Sequence, residues 1–319
     1  MVGRVGEVLL VASGGGHIEQ LKLLADRLPY SAPRRWITFD TAQTRSLLAG
    51  EDVAYVPYVG PRDYTSLAKN LLLSRSIGVN SSTEAVISTG SGVALAYLPQ
   101  SGRKRVATHY IESATRVDGP SLTGRILAKC PGVNVYTQYR SWSDDTWNYA
   151  GSVFEGFEID QDFVGTGTVR KAVVSLGTIK PYGFRRLVDR LVTMFNEAEI
   201  EVTWQTGATN VDDLPIDART MIPNHELRSE IAEADLLVAH AGTGIALTAL
   251  REGKCPLLVP REAAHGEHVD NHQFEIAKVL QESGLSVSRR VEELSIDDML
   301  LASSRSVVNG QRAKELLIA

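Results

Sequence analysis

Strand-like apolar segments in this chain run straight into glycine turns that open helical segments, and the pattern recurs along most of its 319 residues. A strand, a tight turn and a helix carry the chain back to the same edge of a sheet. Repetition of that unit predicts parallel strands with helices packed on both faces. In the N-terminal half the apolar runs are Val8–Ala12, Trp36–Phe39, Val53–Val56, Ala85–Ser88, Val106–Ile111 and Val133–Thr137. Helix-competent segments Ile18–Leu28, Leu67–Arg75 and Leu122–Lys129 lie between them. The polar stretch Glu158–Val169, with Gly165-Thr166-Gly167, interrupts the series and reads as a linker.

A second α/β series follows. Its strands are Ala172–Leu176, Glu201–Gln205, Leu236–Ala239 and Leu257–Val259, and its helices Phe184–Phe195, Leu227–Ala234, Ile245–Glu252 and Asn271–Ser283. Asn224 or His225 can cap the second helix, and Gly284 can end the last. The expected fold class is therefore α/β, with two Rossmann-like domains, residues 1–157 and 170–319, joined by a linker at 158–169. The two are expected to face each other across a ligand cleft at the carboxyl ends of their strands.

Two stretches at such strand ends carry chemistry. Strand Glu7–Ala12 runs into Ser13-Gly14-Gly15-Gly16-His17. In the second half a strand leads into His240-Ala241-Gly242-Thr243-Gly244, and the next ends at Val259-Pro260-Arg261 before a polar loop reaching Asp270-Asn271-His272-Gln273. Backbone N–H groups and the helix dipole at such turns suit a phosphate, and two turns so close together suggest a nucleotide-diphosphate site. Each turn, taken singly, is also compatible with a tight strand-to-helix connection that holds no ligand.

Composition narrows the partners. Hydrophobic residues make up 43% and charged residues 22%, ordinary for a globular protein. No apolar run approaches the ~20 residues of a membrane span, and no signal-peptide pattern opens the chain. Cys130 and Cys255 each precede a proline, support neither a disulfide framework nor a zinc cluster, and read as packing residues in a reducing cytoplasm. Residues 1–157 carry a net +3 and the remainder −8. That fits an anionic partner for the first half but is too weak for nucleic acid.

The ordered motifs resemble glycosyltransferase family 28, of the GT-B fold. Val174-Ser175-Leu176-Gly177-Thr178, Gln205-Thr206-Gly207, Ala234-Asp235, His240–Gly244 and Asn271-His272-Gln273 are similar to its donor-binding domain. Ser13–His17, Ser88-Thr89-Gly90-Ser91-Gly92, Glu112-Ser113-Ala114-Thr115-Arg116 and Gln138-Tyr139 are similar to the acceptor-binding partner. Those partners are separate subunits in the dolichol-linked N-acetylglucosaminyltransferase and in bacterial exopolysaccharide glucuronosyltransferase pairs. Here they look fused, acceptor part first.

The resemblance implies an inverting, metal-independent transferase that needs no cofactor. It would move sugar from a UDP-sugar to a lipid-linked saccharide, most plainly a polyprenyl-diphosphate-linked one. A place at the cytoplasmic face of the plasma membrane is implied, with peripheral attachment. Donor contacts are expected from Gly177, Thr178, Gln205, His240, Gly242, Thr243, Gly244, Thr248, Arg261, Glu267, Asn271, His272 and Gln273, and acceptor contacts from Gly15, Gly16, Ser91 and Arg116.

Transfer requires a base for the acceptor hydroxyl. His17 opens a helix whose dipole favours neutral imidazole, and Glu112 follows a strand end; both remain candidates, and each can instead serve a cap. Thr248 stands where related domains carry a ribose-holding glutamate. Either ribose is held more weakly, or another carboxylate such as Glu252 or Glu267 reaches it, or the nucleotide is not uridine-based. Loosely bound UDP, with the contact partly replaced from the Glu262–Glu267 loop, is the expectation. Asp160-Gln161-Asp162 spells a metal motif but falls in the linker, and His265, His268 and His272 have only loosely zinc-like spacing; no metal is expected. The segment Ser66–Arg75, with Leu67, Leu71, Leu72, Leu73, Lys69 and Arg75, fits either a lipid surface or an ordinary core-packed helix. A UDP-sugar 2-epimerase of the same fold and a non-catalytic nucleotide-sugar-binding subunit are the alternative functions. Oligomeric state is not legible.

Overall fold

The computed structural model describes residues 6–60, 63–177, 181–310 and 315–318. Two compact units result, Met1–Val153 with Ala313–Ala319, and Phe154–Arg312.

The first unit alternates as expected: β1 (Glu7–Ala12), α1 (Gly16–Ala25), β2 (Arg34–Phe39), α2 (Ala42–Leu47), β3 (Asp52–Val56), α3 (Tyr64–Ile77), β4 (Thr83–Gly90), α4 (Ala94–Arg103), β5 (Ala107–Ile111), α5 (Leu122–Leu127), β6 (Asn134–Thr137) and β7 (Trp147–Tyr149). All seven strands are parallel, in the order β3-β2-β1-β4-β5-β6-β7. Val8–Ala12 and Ala85–Ile87 are buried on both faces, which is why they read as unbroken apolar runs. The helices α3 and α5 begin on side-chain caps, Asp63 accepting from the Ser66 N–H and Ser121 from the Gly124 N–H.

The second unit contains β8 (Phe157–Ile159), β9 (Lys171–Ser175), α6 (Arg185–Glu197), β10 (Glu201–Gln205), β11 (Ala218–Arg219), α7 (Asn224–Glu233), β12 (Leu236–His240), α8 (Thr243–Arg251), β13 (Leu257–Val259), α9 (His272–Glu282), β14 (Val287–Ser288), α10 (Ile296–Ser303) and β15 (Val307–Asn309). Its parallel sheet runs β11-β10-β9-β12-β13-β14. Its core gathers Val174, Leu187, Leu191, Trp204, Val238 and Leu257 between sheet and helices.

Three expectations are corrected here. The boundary falls at Val153/Phe154, and the segment read as a linker from 158 starts inside the second unit, because β8 pairs antiparallel with β15. The last residues do not belong to the second domain: the Leu316 N–H donates to Arg27 O at 2.7 Å and Leu317 N–H to Ala150 O at 2.9 Å, with Leu316 and Ile318 buried. Neither Asn224 nor His225 is the N-cap of α7; Pro223 occupies that position. Gly284 does end α9, at φ +76°, with the Leu285 N–H donating to Leu280 O.

Candidate active site

A doubly wound sheet holds ligands where its strand order reverses. That point lies between β1 and β4 in the first unit and between β9 and β12 in the second. Each unit sets a histidine there.

In the first unit His17, second residue of α1, bonds through Nδ1 to the Thr89 carbonyl at the end of β4, 2.7 Å away. A carbonyl only accepts, so Nδ1 carries the proton and Nε2 keeps its lone pair. The Thr89 hydroxyl returns a bond to the His17 backbone carbonyl at 2.8 Å, so Thr89 holds the residue through both its ring and its main chain. Gly90, at φ +103°, sits so close that a Cβ there would stand 3.1 Å from His17 Cε1. Burial lowers the His17 pKa, the Thr89 bond and Glu112 opposing that shift. The imidazole is thus neutral near pH 7 with a basic Nε2.

The neighbouring loop has one partner that the sequence did not signal. The Gly15 N–H, at the N-cap of α1, donates to Gln43 Oε1 of α2 at 2.8 Å. Gly15 holds φ +69°, and Gly16 opens the helix. Ser91 follows β4 and is half-buried, while Arg116 is exposed. No helix forms from 112 to 116.

Glu112 does sit at the end of β5, but it is buried at 1% exposure. Its Oε1 accepts from the Tyr110 hydroxyl and the Ser113 N–H, and its Oε2 from the Ser121 N–H and hydroxyl, at 2.9–3.1 Å. Gly124 leaves room for it, since a Cβ there would fall 2.3 Å from Oε2. A carboxylate with four donors and no exposure ties β5 to the start of α5. It is poorly placed to receive a hydroxyl proton.

The second unit repeats the arrangement with different groups. His240 ends β12 and bonds through Nδ1 to Ser175 O of β9 at 3.3 Å. Its ring fills the space left by two glycines. A Cβ on Gly177, at φ +76°, would meet Cε1 at 2.7 Å, and one on Gly242 would meet Nε2 at 2.3 Å. Burial, then Arg261, pushes the His240 pKa down to about 3. Thr178, expected beside Gly177, lies outside the described residues.

Gly242 caps α8 with no side-chain partner, so the first-turn N–H groups of a helix opening on Thr243 and Gly244 lack intrahelical acceptors. The buried Thr243 hydroxyl also has no hydrogen-bond partner among the described residues.

Arg261, just past β13, is 2% exposed. One terminal nitrogen donates to Leu176 O, its backbone N–H donates to Gln273 Oε1 at 3.0 Å, and the guanidinium lies 5.7 Å over the Phe184 ring. Its Nε has no partner, and no carboxylate comes within ion-pair distance among the described residues. Burial lowers its pKa. A buried cation without a counter-ion, beside a glycine turn and an uncapped helix start, has the chemistry that suits an anion.

Several expected donor residues have other work. Gln205 spans Ser175 Oγ and the Ile222 N–H, at 2.9 Å each, and so braces strands. Thr248 bonds back to Gly244 O at 3.0 Å within α8. Glu252 sits at the opposite end of that helix and pairs with Arg228 at 2.6 Å, away from the glycine turn, so it is no substitute ribose ligand. Glu267 is buried and gives both oxygens to Arg186 at 3.1 and 3.2 Å. Asn271 Oδ1 holds the Ala263 N–H at 3.0 Å, shaping the loop. His272 Nδ1 bonds Asp270, leaving Nε2 available, and packs edge-on against His268, which stacks on Tyr182 at 5.5 Å. Tyr182, Phe184 and Arg186 escaped the sequence reading because they match no turn or motif.

His268, Asp270 and His272 offer three ligand atoms within 4.8 Å of one another. Arg261 contributes positive potential at His268 and so disfavours a cation in that cluster. Asp160 and Asp162 form a local turn, the Asp162 N–H donating to Asp160 Oδ1 at 3.0 Å.

Paired α/β units with glycine turns at both reversal points define the GT-B type of fold, and solved structures agree. Over 94% of both chains this protein superposes on MurG of Acinetobacter baumannii with a TM-score of 0.58 at 14% identity. Residues 173–313 match the glycosyltransferase family 28 C-terminal domain, so the second unit is a family 28-like domain on a GT-B chain. Among curated proteins, the chain is 46% identical over 55 residues to the UDP-N-acetylglucosamine transferase subunit ALG13 of Yarrowia lipolytica. It is 27% identical over 161 residues to the UDP-N-acetylglucosamine–N-acetylmuramyl-(pentapeptide) pyrophosphoryl-undecaprenol N-acetylglucosamine transferase of Cupriavidus pinatubonensis. These matches span 17% and 48% of this chain, and 26% and 43% of the two relatives.

Proposed function

We propose that the protein is an inverting, metal-independent glycosyltransferase that moves a sugar from a UDP-sugar to a polyprenyl-diphosphate-linked saccharide. Cell-surface polysaccharide or glycolipid synthesis at the cytoplasmic face of the plasma membrane is the process this fits. The observation that carries the reading is the buried, uncompensated guanidinium of Arg261 beside Gly177 and the start of α8. A nucleoside diphosphate supplies the missing negative charge, and charge-assisted bonds to it strengthen as the leaving oxygen gains charge. Uridine as the base draws support from two relatives named as UDP-N-acetylglucosamine transferases.

In the reaction His17 Nε2 takes the acceptor hydroxyl proton as that oxygen attacks the anomeric carbon. The bond from that carbon to the diphosphate breaks on the opposite face, and UDP departs with the bonding pair onto the Arg261 site. One displacement inverts the anomeric configuration. Arg261→Gln is expected to weaken UDP binding by about tenfold to a hundredfold in calorimetry. Unchanged affinity in a folded variant would remove the basis of the assignment.

A 2-epimerase would convert UDP-N-acetylglucosamine with no acceptor present, and a binding subunit would release no UDP with a lipid-acceptor extract; neither outcome is expected. EDTA is expected to leave most activity intact, because the cationic side chain and N–H groups hold the leaving group. Collapse on chelation, restored by manganese or magnesium, would return attention to His268, Asp270 and His272.

The lipid acceptor draws support from an inversion on α3. Its buried residues are Asn70 and Ser74, while Tyr64, Leu71 and Leu72 are exposed; Leu67 packs on the core and Leu73 is half-buried. Asn70 is drawn inward by bonds to Pro57 O and Ser66 O, both at 2.9 Å. On α5, which packs on α4 as α3 does, Leu122 and Ile126 are exposed, and Lys69, Arg75 and Arg125 flank these side chains in sequence. Apolar tips with flanking cations suit an anionic bilayer surface. Leu72→Glu with Leu122→Glu is expected to cut binding to phosphatidylglycerol vesicles by about tenfold or more. Sedimentation with vesicles that does not change would count against this face.

A further inference from the structure

Arg261 stays unpaired although a buried carboxylate, Glu267, lies close enough to bias its protonation toward the charged form. The reason is a second arginine. Arg186, on the first turn of α6, occupies both Glu267 oxygens, Nε to Oε1 at 3.1 Å and a terminal nitrogen to Oε2 at 3.2 Å. The same guanidinium also reaches Glu262 at 3.1 Å and bonds Glu292, and the Glu262 N–H donates to Glu267 Oε2 at 3.0 Å. Glu262 is held from the far side by Arg290 at 3.7 Å. Two residues before Arg186, Phe184 forms the surface under the Arg261 guanidinium. One stretch of chain, 184–186, therefore supports Arg261 from below and removes its nearest internal counter-ion.

We propose that Arg186 is a positioning residue whose task is to sequester Glu267, keeping Arg261 free of an internal partner and vacant for the diphosphate. A bidentate arginine–carboxylate pair fixes both partners in direction, so Glu267 cannot turn to Arg261 while Arg186 is present. Without Arg186 the buried carboxylate is left without its partner, and the Arg261 guanidinium is the cation beside it. Pairing there would put an internal anion in competition with the ligand. The inference rests on the reading of Arg261 as the diphosphate holder. It also reverses the sign expected if Glu267 touched ribose: removing its charge should help the ligand.

The test is a cycle of UDP affinities, measured by calorimetry on the full chain. Arg186→Met is expected to weaken UDP by about tenfold. Glu267→Gln, which keeps an acceptor for the Glu262 N–H, is expected to bind UDP at least as tightly as the parent. Arg186→Met with Glu267→Gln is expected to recover affinity to within about threefold of the parent. A merely structural role for Arg186 predicts the opposite: both single changes loosen the loop, and the double variant is no better than Arg186→Met. That pattern, or a weakened Glu267→Gln alone, overturns the inference. Arg261→Gln run alongside separates the two levels. If it still binds UDP like the parent, the reading of the site has failed; if it loses UDP while Arg186→Met does not, only the role of Arg186 has failed. A parent chain that binds no UDP would overturn both.

Discussion

Exchanging His17 for glutamine is expected to lower turnover by about 10²- to 10⁴-fold, the range for loss of a general base, with UDP affinity unchanged. The groups proposed to bind the donor belong to the second unit, whereas His17 belongs to the first. The pH profile supplies an independent check. Burial holds the His17 pKa below 6.5, and in the proposed role the neutral ring is the active form. Turnover should therefore rise with pH through a value below 6.5 and be level at neutrality. In the glutamine variant that acid limb should vanish from the residual rate. Turnover within about threefold of the parent would move the base elsewhere, despite the four hydrogen bonds that occupy Glu112.

Stability should also fall steeply in mild acid. His17, His109 and His240 all have pKa values lowered chiefly by burial, His109 to about 4 and His240 to about 3. His109 lies in β5 with Tyr30 on one ring nitrogen at 2.8 Å and Tyr136 on the other at 3.2 Å, so it packs as a neutral ring. In the unfolded chain each histidine titrates near 6.5. Below that pH the unfolded state binds more protons than the folded one, so stability is complete above about 6.5 and declines as pH falls toward the depressed values. His109 alone should contribute a loss of about 3 kcal/mol by pH 4, and the three together on the order of 5 kcal/mol or more. Urea midpoints measured from pH 7.5 to 4.5 should show unfolding linked to uptake of about two protons. His109→Gln should flatten the slope. A midpoint constant across that interval would contradict the burial of these rings.

The strands and their parallel arrangement were legible because each depends on neighbours in sequence. Val8–Ala12 and Leu236–Ala239 are apolar without alternation, which only a strand covered on both faces explains. The glycine turns were legible for a similar reason. Gly177 and Gly284 hold positive φ, and Gly242 must admit a ring. The short edge strands β11, β14 and β15 went unread, since two or three residues carry no period.

What sequence alone determined is the two-part α/β architecture and the glycine turns at its strand ends. The partners of the charged groups were decided by tertiary structure. His17 acquires its tautomer from Thr89, 72 residues away, and Glu267 is claimed by Arg186, 81 residues away. Neither pairing has a local signature, because strand order, not spacing, brings the segments together. The same holds on α3, where Asn70 turns inward to a carbonyl from Pro57 and leaves Leu72 outside. Helical period ranks side chains by polarity, but a buried hydrogen-bond acceptor on a neighbouring segment can reverse that ranking.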